Sequence, residues 1–104
     1  MNTVISTTKA PAAVGPYNQA IKAGNTVYCS GQIGLDPATG TMVEGVIAQA
    51  NRAFDNLEAV LTQAGAKMTD VVKFTIFLTD INDFAQVNEV MASHVPTPYP
   101  ARRY

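Results

Sequence analysis

The 104-residue sequence has one cysteine, one histidine and no tryptophan, and only 14% of its residues are charged. Each scarcity removes a class of function. A lone Cys29 cannot close an internal disulfide, and Cys29 with His94 makes no zinc-ligand pattern. The formal net charge is -1, and no run of Lys or Arg precedes the Arg102-Arg103 pair, so binding driven by phosphate neutralisation has little to act through. No nucleic-acid partner is expected. No apolar stretch approaches the ~18 residues of a membrane span, and the N-terminus lacks an apolar signal core. No membrane partner is expected, and a cytoplasmic location is. With one histidine there is no H-E-x-x-H pair. No serine sits in a G-x-S-x-G elbow, and neither G-x-x-x-x-G-K-[ST] nor G-x-G-x-x-G occurs. Metal hydrolysis, phosphoryl transfer and nicotinamide chemistry are therefore not expected, and neither a metal nor a cofactor is implied.

What remains is a chain for one small folded domain over residues 1–104, with 47% hydrophobic residues. A chain of this size buries about 65% of its unfolded surface. With so few charges, part of the surface should be covered by something else, which points to a multimer.

The stretch Thr26 to Asp36 (TVYCSGQIGLD) organises the reading. Up to Gln32 it is strand-like, with Val27, Cys29 and Gly31 on one face and Tyr28, Ser30 and Gln32 on the other. Gly31 leaves a gap in the side-chain row, which marks a bulge or a close approach. Small and polar residues at the centre make a poor core strand and a reasonable wall for a binding site. Asp36 to Gly40 (DPATG) then closes the segment with a turn.

Ahead of this stretch, Thr3–Thr7 reads as a short first strand, Ala10–Pro16 as a small-residue and proline segment, and Tyr17–Ala23 as a second strand. Gly24-Asn25 predicts a two-residue type II′ hairpin into Thr26. Met42 and Val43 extend briefly. The spacing of Val46, Ile47, Ala50, Ala53, Phe54, Leu57, Val60, Leu61 and Ala64 then predicts a helix over Val46–Ala64. Gln49, Arg52, Asp55, Asn56, Glu58 and Gln63 are placed on its polar side, with Gly65 as the C-terminal cap. Val71–Thr79 alternates as a strand. Val72, Phe74, Ile76 and Leu78 face the helices, while Val71, Lys73, Thr75, Phe77 and Thr79 form a mixed face suited to an interface or cleft wall. Asn82 or Asp83 caps a second helix to about His94, with Phe84, Val87, Val90 and Met91 inward. Three prolines make Val95–Tyr104 extended or irregular. The order β-β-β-α-β-α implies an α+β two-layer sandwich whose helices cover one sheet face, leaving the other to a second copy of the chain.

The candidate functional residues each admit two readings. Ser30 can hydrogen-bond a ligand or the backbone. Tyr17, after Gly15-Pro16, can aim a phenol at a pocket or seat the turn. Asn88 taken alone is a solvent-facing helix residue. Arg102 can clamp a carboxylate bidentately or fray with the terminus. His94 complements a helix dipole, and Cys29 serves as a small core hydrophobe.

GPYNQAI (15–21), VYCSGQIGLDPATG (27–40), QANRAFDNLEAVLTQAG (49–65), VVKFTIFLTDINDFAQVNEV (71–90) and YPAR (99–102) together resemble the RidA family of imine and enamine deaminases. The resemblance runs through nearly the whole chain. It implies a chorismate-mutase-like subunit in a homotrimer with a central barrel, helices outside and three sites in the clefts between subunits. It also implies cofactor-independent hydrolysis of 2-imino acids to 2-keto acids and ammonia. Carried over by position, Arg102 matches the arginine that pairs with the substrate carboxylate. Tyr17, Ser30 and Asn88 match pocket positions, and Gly31 lies where backbone borders the substrate.

The alternative is a non-catalytic trimer that binds small carboxylates or a protein partner. Ribonuclease activity, claimed for some relatives, sits badly with the acid excess. The family pattern continues past the arginine into further strands and a glutamate-bearing segment, one strand of which lies between those matching 27–33 and 71–79. For this sequence that implies direct pairing of the two flanking strands, filling by another chain, or a fragment.

Overall fold

Gly24 and Asn25 turn the chain between two strands in register, Ala23 opposite Thr26. Gly24 has φ +60° and among the described residues no non-glycine has positive φ, so among primed turns this is type II′ and not I′. The computed structural model describes residues 2–104. In it β1 (Thr3–Ile5), β2 (Ala20–Ala23) and β3 (Thr26–Cys29) form an antiparallel sheet in that order. A long helix, α1 (Val46–Gln63), follows. Then come β4 (Lys73–Thr75), α2 (Phe84–His94) and β5 (Ala101–Arg103). β4 and β5 pair in parallel, and α2 supplies the crossover connection that parallel pairing needs.

The fold is the expected α+β arrangement, but with two sheets among the described residues and not one. β3 and β4 do not pair. Of the three ways of closing the interval between the segments 27–33 and 71–79, direct pairing is therefore not the one adopted. The tail holds a fifth strand that its prolines hid. The hydrogen bonds Ala101 N to Val72 O (3.0 Å) and Ile76 N to Arg103 O (2.8 Å) extend that pairing at both ends.

Both early strands are shorter than their sequence pattern. The regular ladder of β2 starts at Ala20, and just ahead of it the side-chain amide of Gln19 accepts from Thr7 N and donates to the carbonyls of Thr7, Ala10 and Pro11, fixing the N-terminal loop. β3 stops at Cys29, opposite Ala20; one further cross-strand bond, Ser30 N to Gln19 O at 3.0 Å, follows before Gly31 and Gln32 leave the pairing. No other part of this chain approaches Gly31, since a Cβ there would meet nothing within 4 Å. The close approach is at Gly34, where a Cβ would stand 2.6 Å from Gln49 Cα.

α1 ends in a Schellman motif. Gly65 (φ +81°) lets Ala66 N reach Leu61 O at 2.8 Å and Gly65 N reach Thr62 O at 3.0 Å. One side of α1 packs Val60 against Ile5, Ala10 and Ala20. The other packs Phe54 and Leu61 with Met68, Phe74, Val90, Met91 and Val95. Phe54 and Phe74 meet edge to face at 5.7 Å. Burying a side chain of this size contributes about 1.5–3 kcal/mol.

Four placements depart from the helix and strand patterns. Asn56, assigned to the polar side, is 0% exposed. Its Nδ2 donates to the carbonyls of Ile33 (3.0 Å) and Leu35 (2.9 Å), and its Oδ1 accepts from Arg52 Nε (3.0 Å). Val72, assigned inward, is 82% exposed, because the 3-10 turn Met68–Asp70 breaks the alternation and lets Val71 pack on the core instead. Asp83 is the N-cap residue of α2, as expected, but its side chain makes no cap bond; the side-chain cap is one turn earlier, where Asp80 accepts from Asn82 N at 2.9 Å at the start of the 3-10 turn Ile81–Asp83. Phe84 lies at the first position of α2, outside both core clusters.

The sheet face away from α1 is uncovered. Val4, Ile21 and Tyr28 form one cross-strand row, with Val4 and Tyr28 exposed. Phe77 on the mixed face is 89% exposed. No helix among the described residues is long and apolar enough to cross a membrane.

Two stability predictions follow from the seam between α1 and residues 33–35. Asn56→Ala leaves the Leu35 carbonyl without a partner and removes one of the two donors to Ile33 O, the other being Leu35 N, and should lower the unfolding free energy by about 1–3 kcal/mol in urea titration. Gly34→Ala should cost about 1–3 kcal/mol by forcing a backbone apart, whereas Gly31→Ala should stay within about 0.5 kcal/mol. Equal effects at the two glycines would contradict the close approach assigned to Gly34.

Candidate functional site

β5 points Arg102 at α2. In the parallel pairing Arg102 stands opposite Phe74, a core residue, so its side chain leaves the strand on the helix side. There α2 presents Phe84 and Asn88, four residues apart and hence on one face. Arg102 Nη1 donates to Asn88 Oδ1. The guanidinium carbon lies 5.3 Å from the Phe84 ring centroid and 4.6 Å from that of Tyr104, the residue two further along. The two rings are 4.5 Å apart and tilted by 53°. Arg102 is therefore held, not frayed, and Asn88 is a partner to it and not simply a solvent-facing residue.

The charge at this cluster is unopposed. Among the described residues the one ion-pair contact is His94 Nδ1 to Asp55 Oδ1 at 3.8 Å, and no carboxylate pairs with Arg102. A guanidinium with one donor taken by an amide and the others open can bind a small carboxylate through a charge-assisted fork.

The other expected site residues lie at the far sheet. Tyr17 is half exposed in the loop before β2, its N–H donating to Gly15 O at 2.9 Å. Ser30 Oγ donates to Asn18 O at 2.6 Å, and Ser30 N donates to Gln19 O at 3.0 Å. Gly31 follows, exposed, with open space at its Cα. The chain thus gathers Arg102 with Asn88, and separately Tyr17 with Ser30 and Gly31, and no hydrogen bond among the described residues joins the groups.

Three further side chains settle differently from their sequence reading. His94 does more than end a helix: its Nε2 meets Asn51 Oδ1 at 2.8 Å and its ring stacks on Phe54 at 5.2 Å, tying α2 to α1. Asn51 Nδ2 donates to Ile47 O (3.1 Å), which turns its oxygen to the imidazole and makes Nε2 the donor. Cys29 is exposed and not a core residue, although its sulfur is crowded enough that desolvation raises the thiol pKa above its ordinary value. Phe84 carried no sequence signal beyond helix periodicity. Its spacing of four from Asn88 was the available clue.

A cleft of about 570 Å³ opens between the loop at Thr7–Ala13 and Asn18, Gln19 and Pro37. It is lined by neutral side chains and contains none of the expected site residues, so it offers a carboxylate no counter-charge. Among the described residues no group of three or more His, Cys, Asp or Glu side chains is placed to hold a metal ion.

With this geometry in place, likeness to known proteins bears on the site. The family model described as Endoribonuclease L-PSP matches residues 7–104. A 2-iminobutanoate/2-iminopropanoate deaminase of Dermatophagoides farinae is 51% identical over 100 residues, covering 95% of this chain and 78% of that protein. The crystal structure of RidA from an Antarctic Psychrobacter superposes with TM-score 0.95 at 53% identity, covering 97% of this chain and 82% of the other. That of E. coli TdcF with bound serine gives TM-score 0.90 at 40% identity, covering 97% and 82%.

Proposed function

This chain belongs to the endoribonuclease L-PSP (RidA) family, and from that premise we propose that it hydrolyses reactive 2-imino acids, with their enamine tautomers, to 2-keto acids and ammonia. Arg102 carries the reading. A cation gripped by Asn88, free of any carboxylate partner and exposed at β5, is suited to an anionic substrate small enough to be oriented by one fork.

The chemistry asks little of the protein beyond placement. The guanidinium holds the carboxylate, so the adjacent C=N carbon has a defined position and face. Water adds there: its oxygen bonds to carbon, the C=N π pair moves to nitrogen, and nitrogen takes a proton. The carbinolamine then collapses, the C–N bond breaks, and ammonia leaves as the ketone forms. Holding the reacting centre in place is worth several kcal/mol, on the order of that in oriented intramolecular reactions. The Tyr17 and Ser30 hydroxyls assist the proton movements, and the Gly31 backbone borders the substrate.

The separation of Tyr17, Ser30 and Gly31 from Arg102 within one chain favours a site assembled in the cleft between subunits of a homotrimer. The uncovered row of Val4, Ile21 and Tyr28 and the exposed Phe77 supply apolar surface for such contacts. A barrel of three sheets with helices outside would bury that face.

One observation favours a second reading, a carboxylate-binding trimer without turnover: the Ser30 hydroxyl proton is already committed to Asn18 O. The family's descriptive name speaks of an endoribonuclease. With eight acidic against seven basic residues, the chain has no charge excess to neutralise phosphates.

2-Iminobutanoate generated in situ should decay faster with the protein present. Arg102→Ala should reduce kcat/KM roughly 10- to 100-fold, the loss of one charge-assisted fork. Equal decay with and without wild-type protein removes the enzyme reading, and retained 2-ketobutanoate binding would then select the second. Native mass spectrometry should give three times the 11.1 kDa chain mass, and a monomer would sink the trimer.

A further inference from the structure

Phe84 has no role in the core. It belongs to neither cluster, is 37% exposed at the first position of α2, and directs its ring at the Arg102 guanidinium. We propose that Phe84 is a positioning residue for the Arg102 anchor, holding the guanidinium by its ring face so that its open N–H edge meets the substrate carboxylate. The proposal rests on the carboxylate-binding reading of Arg102 and deepens it.

The geometry supplies the reason. An arginine side chain has four rotatable bonds, and a single hydrogen bond through Nη1 leaves the guanidinium plane free to pivot about that contact. A second, non-collinear restraint stops the pivot. Phe84 and Asn88 stand one turn apart on α2, so one helix face offers both an amide oxygen and an aromatic face. Tyr104 follows directly after β5 and returns to the same side as Arg102, where its ring packs against Phe84 and braces it. Guanidinium, Phe84 ring and Tyr104 ring thus form a triangle with sides of 5.3, 4.6 and 4.5 Å. The aromatic pair covers one side of the cation, and attraction to the ring quadrupole requires nothing of the N–H groups. Asn88 occupies one donor, and the rest stay available in a fixed direction. A leucine at position 84 would keep the bulk and lose the quadrupole. A tyrosine would keep both.

The test compares Phe84→Leu, Phe84→Tyr and Arg102→Ala in the full chain, reading 2-ketobutanoate affinity by calorimetry and kcat and KM on 2-iminobutanoate. Phe84→Leu should weaken 2-ketobutanoate binding about 3- to 10-fold and raise KM in step, while Phe84→Tyr restores both to near wild type. The Arg102 side-chain proton resonances should show an upfield ring-current shift that Phe84→Leu reduces, with the part due to Tyr104 remaining, a readout that does not depend on turnover. Wild-type affinity in Phe84→Leu, with binding lost in Arg102→Ala, overturns the role of Phe84 and leaves the anchor standing. Equal losses in the leucine and tyrosine variants overturn it too, since the requirement would then be for phenylalanine's shape. Unchanged affinity in Arg102→Ala overturns the underlying reading. Should Phe84→Leu fail to fold, the absence of any upfield shift at Arg102 in the wild type decides against the proposal.

Discussion

The contact between α1 and the chain leaving β3 is the constraint on which the arrangement depends. Leu35 bridges Met42 and its N–H bonds Ile33 O, but the Leu35 carbonyl and the second lone pair of the Ile33 carbonyl turn toward a helix. Asn56 supplies both donors from within that helix, and Gly34 lets the two backbones close to a distance no side chain would permit. Unpaired, the Leu35 carbonyl would cost about 1–3 kcal/mol. Because residues 33–35 are tied to α1, the course of the chain from Cys29 to Leu35 is set, and with it the position of Ser30 and Gly31 at the end of the sheet.

The far side of α1 does the corresponding work for the anion anchor. Phe54 and Leu61 pack with Phe74 of β4 and with Val90 and Met91 of α2, and the His94–Asn51 bond closes the same seam. α2 is thereby held over the parallel pair β4–β5, which brings Phe84 and Asn88 to Arg102. A positive charge at a strand end is ordinarily loose. Here a helix face and a neighbouring ring hold it, so the cation is oriented before any ligand arrives.

Much of this was legible in the residues. The hairpin at Gly24-Asn25, the α1 stripe with Gly65 beyond it and the apolar side of β4 at Phe74 all came from local pattern, because turn conformation and helical period are short-range properties. Asn56 illustrates the limit. On a helical wheel it is one polar residue among several, and nothing nearby in the chain says that carbonyls more than twenty residues earlier will need its amide. Gly31 was read as the gap in the side-chain row, yet it is Gly34, three positions on, that faces another backbone. The site was legible in a similar measure. Motif resemblance singled out Arg102 and Asn88, while Phe84 was read as a core residue because periodicity cannot distinguish an inward ring from one turned to a cation.

Residue order alone determined the local units: where the chain turns, which stretches coil or extend, and which side chains bear the charge and hydroxyls suited to a small acid. These follow from steric and hydrogen-bonding preferences acting over a few residues. The three-dimensional packing decided what those units meet. It turned the Gln19 side chain onto the N-terminal loop, buried Asn56, drew the proline-rich tail into a parallel strand and stood Arg102 between an amide and two rings. Each depends on groups distant in sequence satisfying one another's polar or electrostatic needs, and that requirement exists only once the chain has folded.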